Sequence, residues 1–333
     1  MSKSITILPL LGDLHVRYPR YNSEVLRSMA EHSGAEALAL PDIDHASLET
    51  PSWQDSPESC LAMGIVPWAR ARSIPIYGVH RPSPDSQANQ DFIELLSAYP
   101  QGQQKLQDSQ RYLGRVQECL EGHLDCQSVF EQLLPLVRRH QHHKEEVLES
   151  GPGMDWLRGR CEQMAQEILR LREKHILLAC SIDKLVFLLD AFSGVDVRYL
   201  EQPPESKRIR ARSLLDFAFY LDDVSQAENL IHQLQAIDVS DMQAEAQFHI
   251  ASLLLVTGHP EQAHRQLEKL AQGDFSRPYY LPGFVLARLG QLRDLIQERS
   301  LALRAYQAVL ALDYAPTAAK ESARQGLNQV FGA

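Results

Sequence analysis

The residues with most chemistry to offer stand where short apolar runs stop. Asp13 and His15 follow Gly12 after the run at 5–11, and Asp42 and Asp44 follow residues 35–40. His80 and Arg81 follow 74–79, and Asp183 follows 176–181. One imidazole among several carboxylates can hold a divalent cation. Oxygen donors suit magnesium, manganese or calcium, and a histidine suits zinc or iron. Activation of a bound water is then the natural chemistry. On this reading His15, Asp42 and Asp44 are metal ligands, and Asp13, His15 and Asp183 carry the catalysis. Tyr18, Tyr21, His80, Arg81 and Arg160 are binding residues. His15 with the two tyrosines and Arg160 offers a second use, a haem or an anion. Each residue also has a plainer role: Asp13 could cap a turn, His15 could be hydrogen-bonded in place, Arg160 could pair on a surface, and Asp183 could cap a helix.

Elements must bring these residues together. Residues 5–11 read as a buried strand, because a continuous apolar run bounded by glycine suits a parallel sheet. Ser23 is the expected N-cap of a helix over 23–32, with Gly34 just past its end. Residues 35–40 make a second strand, so the first forty residues have βαβ proportions. A Pro, Ser, Asp and Trp-rich loop follows from 50 to 57, then a helix at 60–73 and a third strand at 74–79 that prolines stop. Residues 92–147 are expected to be mainly helical, with turns at Gly102 and Gly122. Gly151-Pro152-Gly153 is an expected turn. A helix over 155–174, a strand at 176–181, a helix at 184–192 and an edge strand at 195–200 complete an α/β domain over 1–203. If the strands are parallel neighbours, their carboxyl ends gather the candidate residues at one edge, where open α/β sheets place sites.

From 204 to 333 there is no strand signal, and a repeat emerges. Leu221 to Ala227 aligns with Thr257 to Ala263, and a third copy runs through Ala302, Tyr306, Leu310 and Asp313. Small residues at 227, 263 and 302 let paired helices approach, and downstream leucines fill the seam. Units of this kind, roughly 34 residues long, cannot bury their apolar faces alone and so stack. Residues 284–316, with Leu-Gly at 289–290, Ala302, Tyr306 and the closing Asp313 to Pro316, resemble the tetratricopeptide repeat. That resemblance implies an all-α helical-repeat domain over 204–333 with a concave surface for a protein or peptide.

A formal charge of −10 argues against a broad surface for nucleic acid or anionic membrane. No apolar run approaches membrane-spanning length and no signal-peptide pattern opens the chain, so a cytoplasmic location is expected. Five cysteines without a CxxC pair read as free thiols in a reducing compartment. Association with further copies of the chain stays open. His142 and Glu146 have the i, i+4 spacing of metal helices, but with Arg139 and Lys144 beside them the favoured reading is a solvated face. No glycine loop for nucleotides and no Gly-x-Ser-x-Gly elbow occurs.

Gly12-Asp13-Leu14-His15 with a turn and helix, an acidic end to the second strand, and Ile74-Pro75-Ile76 in the third resemble the TraB, ChaN and Tiki superfamily. Arg160-Cys-Glu-Gln-Met164-Ala165 and the strand and helix near 176–192 continue that order over about 200 residues. The resemblance implies metal-dependent proteases, erythromycin-esterase-like hydrolases or haem-binding proteins, with two Gly-x-x-His motifs and an acidic residue at the site. His15 matches the first motif. In the second, at Cys180-Ser-Ile-Asp183, glycine has become Cys180 and histidine Asp183. Asp42 or Asp44 best matches the expected glutamate, and His80 stands where an acid is common. The favoured expectation is therefore a binding protein with a degenerate hydrolase-like domain and a partner-recruiting helical repeat. The alternatives are a metal-dependent peptide or ester hydrolase, and a haem- or anion-binding protein.

Overall fold

A computed structural model of the chain describes residues 3–80, 85–149, 152–221 and 223–332. The chain divides into two units, one of Met1–Thr50 and Ser56–Pro203, the other of Pro51–Asp55 and Pro204–Ala333.

The first unit is built on five parallel strands: β1 (Ser4–Leu10), β2 (Ala37–Leu40), β3 (Ile76–Gly78), β4 (His175–Ser181) and β5 (Asp196–Arg198). Their order is β3-β2-β4-β1-β5, and every pairing between them is parallel. All seven residues of β1 and all four of β2 are buried, as expected of central strands covered on both faces. β1 is in register with β4 along its whole length, from Ser4 beside His175 to Leu10 beside Ser181. Along its other flank only Ser4 to Thr6 pair with β5. Pro9 is tolerated because that flank is open beyond Thr6: its carbonyl is taken by the Tyr21 hydroxyl at 3.0 Å.

Helices surround this sheet. They are α1 (Ser23–His32), α2 (Val66–Ala71), α3 (Asp85–Ser97), α4 (Pro100–Ser109), α5 (Leu113–Glu121), α6 (Leu134–Leu148), α7 (Pro152–Arg170) and α8 (Ile182–Ala191). The N-cap of α1 is Asn22, one residue before the expected Ser23. Its Oδ1 accepts from the amides of Glu24 and Val25 at 3.1 and 3.0 Å, a cap contributing about 1 kcal/mol. Gly34 closes the helix at φ +65°. Gly102 is no turn; it lies inside α4, where a Cβ would meet the Leu96 carbonyl oxygen at 1.9 Å. Its lack of a side chain lets α4 abut the end of α3. Pro152 and Gly153 open α7, while Gly151 lies outside the described residues. The expected helix at 60–73 is interrupted: Leu61–Ile65 form a single π-helical turn before α2.

In the second unit the chain forms α9 (Lys207–Phe219), α10 (Ala227–Gln235), α11 (Gln243–Val256), α12 (Pro260–Ala271), α13 (Leu281–Leu295), α14 (Arg299–Ala311) and α15 (Thr317–Asn328). Apolar clusters follow one another along the chain, the first from α9 to α11, the next from α11 to α13 and the last from α13 to α15. Ala227, Ala263 and Ala302 are fully buried. Gly290 and Gly326 lie against the buried Tyr306 ring, where a Cβ on either would come within 2.4 Å and 2.3 Å of ring carbons. A polar network is also enclosed. Arg212 donates to both oxygens of Glu245 at 2.8 Å and to Asp216 at 2.9 Å, and Tyr280 donates to Glu245. Although burial opposes its ionisation, Arg212 holds the Glu245 carboxyl down at about 2.

All five cysteines are free. Among the described residues no helix is long and apolar enough to cross a membrane.

Candidate functional site

The chain leaves β1 toward β2, on the far side of β4, and leaves β4 toward β5, on the far side of β1. Two adjacent strands whose connections depart in opposite directions open a crevice at their carboxyl ends. Gly12, with φ +62°, turns the chain there into a single 3-10 segment, Gly12–Arg17, a backbone region that favours glycine.

His15 does not face the crevice as a free imidazole. It is 1 % exposed, and both ring nitrogens are taken by backbone: Nε2 accepts from the Leu11 amide at 2.8 Å, and Nδ1 donates to the Tyr21 carbonyl at 2.8 Å. The two partners fix the tautomer. Tyr21 stacks on the ring at 5.4 Å between centroids. Burial lowers the imidazole pKa to about 4, so the ring is neutral. The expected ligand and base is a clasp across its own turn.

Other expected site residues are also spoken for. Asp44 caps the short turn His45–Leu48, accepting from the Ser47 amide and hydroxyl at 2.8 and 2.6 Å. Tyr18 and Tyr21 are buried, with their hydroxyls given to the carbonyls of Leu120 and Pro9. With His15, they present no open face to a haem. Asp183 is exposed on α8, 3.5 Å from the Gln141 amide nitrogen. Arg81 lies outside the described residues.

A different set meets at the crevice. Asp42 accepts from the Ser181 amide and hydroxyl, each at 2.8 Å, and from the Lys184 ammonium at 2.6 Å. This sews the end of β2 to the end of β4 and the first turn of α8. Glu58 is 6 % exposed and accepts from the Gly12 amide at 2.8 Å. Burial pushes its carboxyl up to about 7, and the charges of Asp42 and Asp13 push the same way against Gly12 and Lys184. His80 reaches the Pro41 carbonyl through Nδ1 at 3.2 Å, and burial, Lys184 and Arg160 lower its pKa. The Arg160 guanidinium lies 3.5 Å from both ring nitrogens of His80 and 5.5 Å from the centre of the Trp156 ring.

Of the sequence candidates, Asp42, His80, Arg160 and the exposed Asp13 contribute to this cluster. Glu58, Ser181 and Lys184 join it unforeseen. Glu58 stands just before the apolar run from Cys60, where an acid reads as an ordinary helix-start residue. Nothing in its spacing separates it from the exposed acids nearby.

The cluster suits proton exchange more than metal binding. Asp42 already accepts from three donors, one of them the Lys184 ammonium, whose positive charge opposes a cation beside it. Among the described residues no three His, Cys, Asp or Glu side chains are placed to hold a metal ion. His15 has both ring nitrogens on backbone groups, and Asp42 and Asp44 are each held by donors of their own. Glu58 is the group whose protonation changes near neutral pH.

No family model, curated protein or solved structure matches the chain.

Proposed function

We propose that the chain is a binding protein. Its α/β unit has the order of a TraB, ChaN or Tiki domain but has turned the motif histidine to structural use, and its helical unit recruits a protein or peptide. The observation that carries the first part is His15: an imidazole with both nitrogens on buried amide and carbonyl groups has neither a lone pair for a metal nor a site for a substrate proton. The helical part is supported by the consecutive apolar clusters and by Tyr306 seated against Gly290 and Gly326. This is close helix packing of the kind a stack of tetratricopeptide-like hairpins needs.

The test is metal content. After incubation of the full chain with zinc or manganese and removal of free ion, bound metal stays far below one equivalent and is the same in Asp42→Asn. One tightly held equivalent that the variant loses would restore the metal-hydrolase reading.

A second reading is favoured by Glu58 alone. Two neighbouring carboxyls with unlike environments, one accepting from three donors and one protonatable near neutral pH, are the arrangement acid–base catalysis uses. Ester or peptide hydrolysis that persists without metal and disappears in Glu58→Gln would make that reading the better one.

A further inference from the structure

Helix α6 carries a stripe the crevice does not use. Arg138, Arg139, His142, His143 and Glu146 recur at alternating spacings of one and three residues, so they share one face. This face lines a broad cleft of about 390 Å³ that is open to solvent, completed by Tyr112 and by Pro135 one turn earlier. That volume lies within the range of small-molecule sites.

Beside the cleft, Arg138, His142 and Arg158 turn to one carboxylate, Asp190, with His142 at 3.1 Å and Arg158 at 3.3 Å, and Arg158 also donates to both oxygens of Glu145 at 3.0 and 2.6 Å. His143 Nε2 is 3.0 Å from the Asp108 carbonyl oxygen and its ring meets Tyr112 edge-on. Arg139 lies over the Tyr112 ring, 4.6 Å from its centre, and makes no ion pair among the described residues. Its guanidinium is thus held in place by an aromatic face while its charge stays unneutralised. Two arginines beside the histidines repel a metal ion, which removes the ligand reading of His142 and Glu146. A planar fork of donors is instead suited to phosphate oxygens. Glu146 lies about 12 Å along the helix from Arg138, eight residues at 1.5 Å each. It offers an acceptor for hydroxyl groups at the end away from the arginines.

We propose that this cleft binds a small hydroxylated phosphate monoester, a sugar phosphate or the sugar-phosphate portion of a nucleotide. The phosphate sits at Arg139 and Arg138 and the hydroxyls reach toward Glu146. Neither reading of the crevice is needed for this site.

Calorimetric titration of the full chain with ribose 5-phosphate, AMP, inorganic phosphate, sulfate and ribose tests it. Ribose 5-phosphate binds at least about tenfold tighter than inorganic phosphate or sulfate, and ribose gives no binding. Arg139→Gln weakens the ester by about tenfold or more, the loss of a charge-assisted hydrogen bond. Glu146→Gln reduces the advantage of the ester over inorganic phosphate. AMP equal to ribose 5-phosphate supports a sugar phosphate, and AMP tighter supports a nucleotide. Both arginine and glutamate are exposed on their helix, so the variants fold, which their thermal transitions check. An ester that binds no tighter than sulfate, or equally well in Arg139→Gln, would overturn the proposal.

Discussion

Replacing His15 by alanine tests the structural role of the motif histidine most directly. The substitution removes the acceptor of the Leu11 amide and the donor to the Tyr21 carbonyl, both buried. Each orphaned group costs about 1–3 kcal/mol. The space left against the Tyr21 ring adds to this, for an expected loss of about 4 kcal/mol at pH 7.5. The loss depends on pH in a way that identifies its source. Folded His15 has a pKa of about 4 against 6.5 for the ordinary side chain. Between those values the unfolded chain binds a proton that the folded chain excludes, so wild-type stability falls as pH drops through that window. The gap of about 2.5 units corresponds to about 3 kcal/mol. His15→Ala lacks this titration, so its deficit relative to wild type shrinks toward about 1 kcal/mol near pH 4. Urea unfolding followed by tryptophan fluorescence suits the measurement, since Trp68 and Trp156 lie in the α/β unit. A deficit below about 1 kcal/mol at pH 7.5, or one that stays constant with pH, would refute the clasp.

Glu58 should act in the opposite sense. Its folded pKa of about 7 stands above the ordinary 4.5, so the folded chain keeps a proton that the unfolded chain has lost. Stability from this group is full below about pH 4.5 and is lost as pH rises through 7. Glu58→Gln, which keeps an acceptor for the Gly12 amide, should therefore gain about 3 kcal/mol on wild type between pH 4.5 and 8 in the same urea assay, and a pH-independent difference would count against it. His15 and Glu58 oppose each other between about pH 4.5 and 6.5, so each variant reveals a slope that the wild type conceals. In the helical unit, Arg212→Met strands Glu245 and Asp216 as buried charges and should cost about 3–5 kcal/mol by thermal or urea unfolding. Adding Glu245→Gln and Asp216→Asn should recover part of that loss; no recovery would mean that arginine packing, not charge, was the cause.

The central strands β1, β2 and β4 were legible because each is a short apolar run cut off by Gly, Pro or acid, and strands buried on both faces demand such runs. Their carboxyl ends consequently pointed to the edge where Asp42, Glu58 and Lys184 meet. The side-chain roles there were much less legible. His15 reads the same whether its nitrogens meet a metal or a backbone turn, and only the path of residues 11–21 decides. Glu58 was hidden because it reaches the Gly12 amide across 46 residues of chain, and no local period records such a contact. Gly102 misled for a related reason. Glycine serves close approach as well as turning, and the neighbour it must admit, Leu96, belongs to another helix. The stripe on α6 was visible as an exposed helical face, but the Tyr112 ring under Arg139 was not, since no local spacing records that contact.

The strand order also sets a timetable for synthesis. β1 is made well before its partners, which begin at His175 and Asp196. Only β2 and β3 can pair with near neighbours in sequence; the centre of the sheet waits for contacts about 170 residues apart. Such distant pairings close slowly, and an unpaired apolar strand is exposed to wrong partners in the meantime. The nascent chain therefore carries a strand destined for full burial uncovered through most of the translation of its first unit.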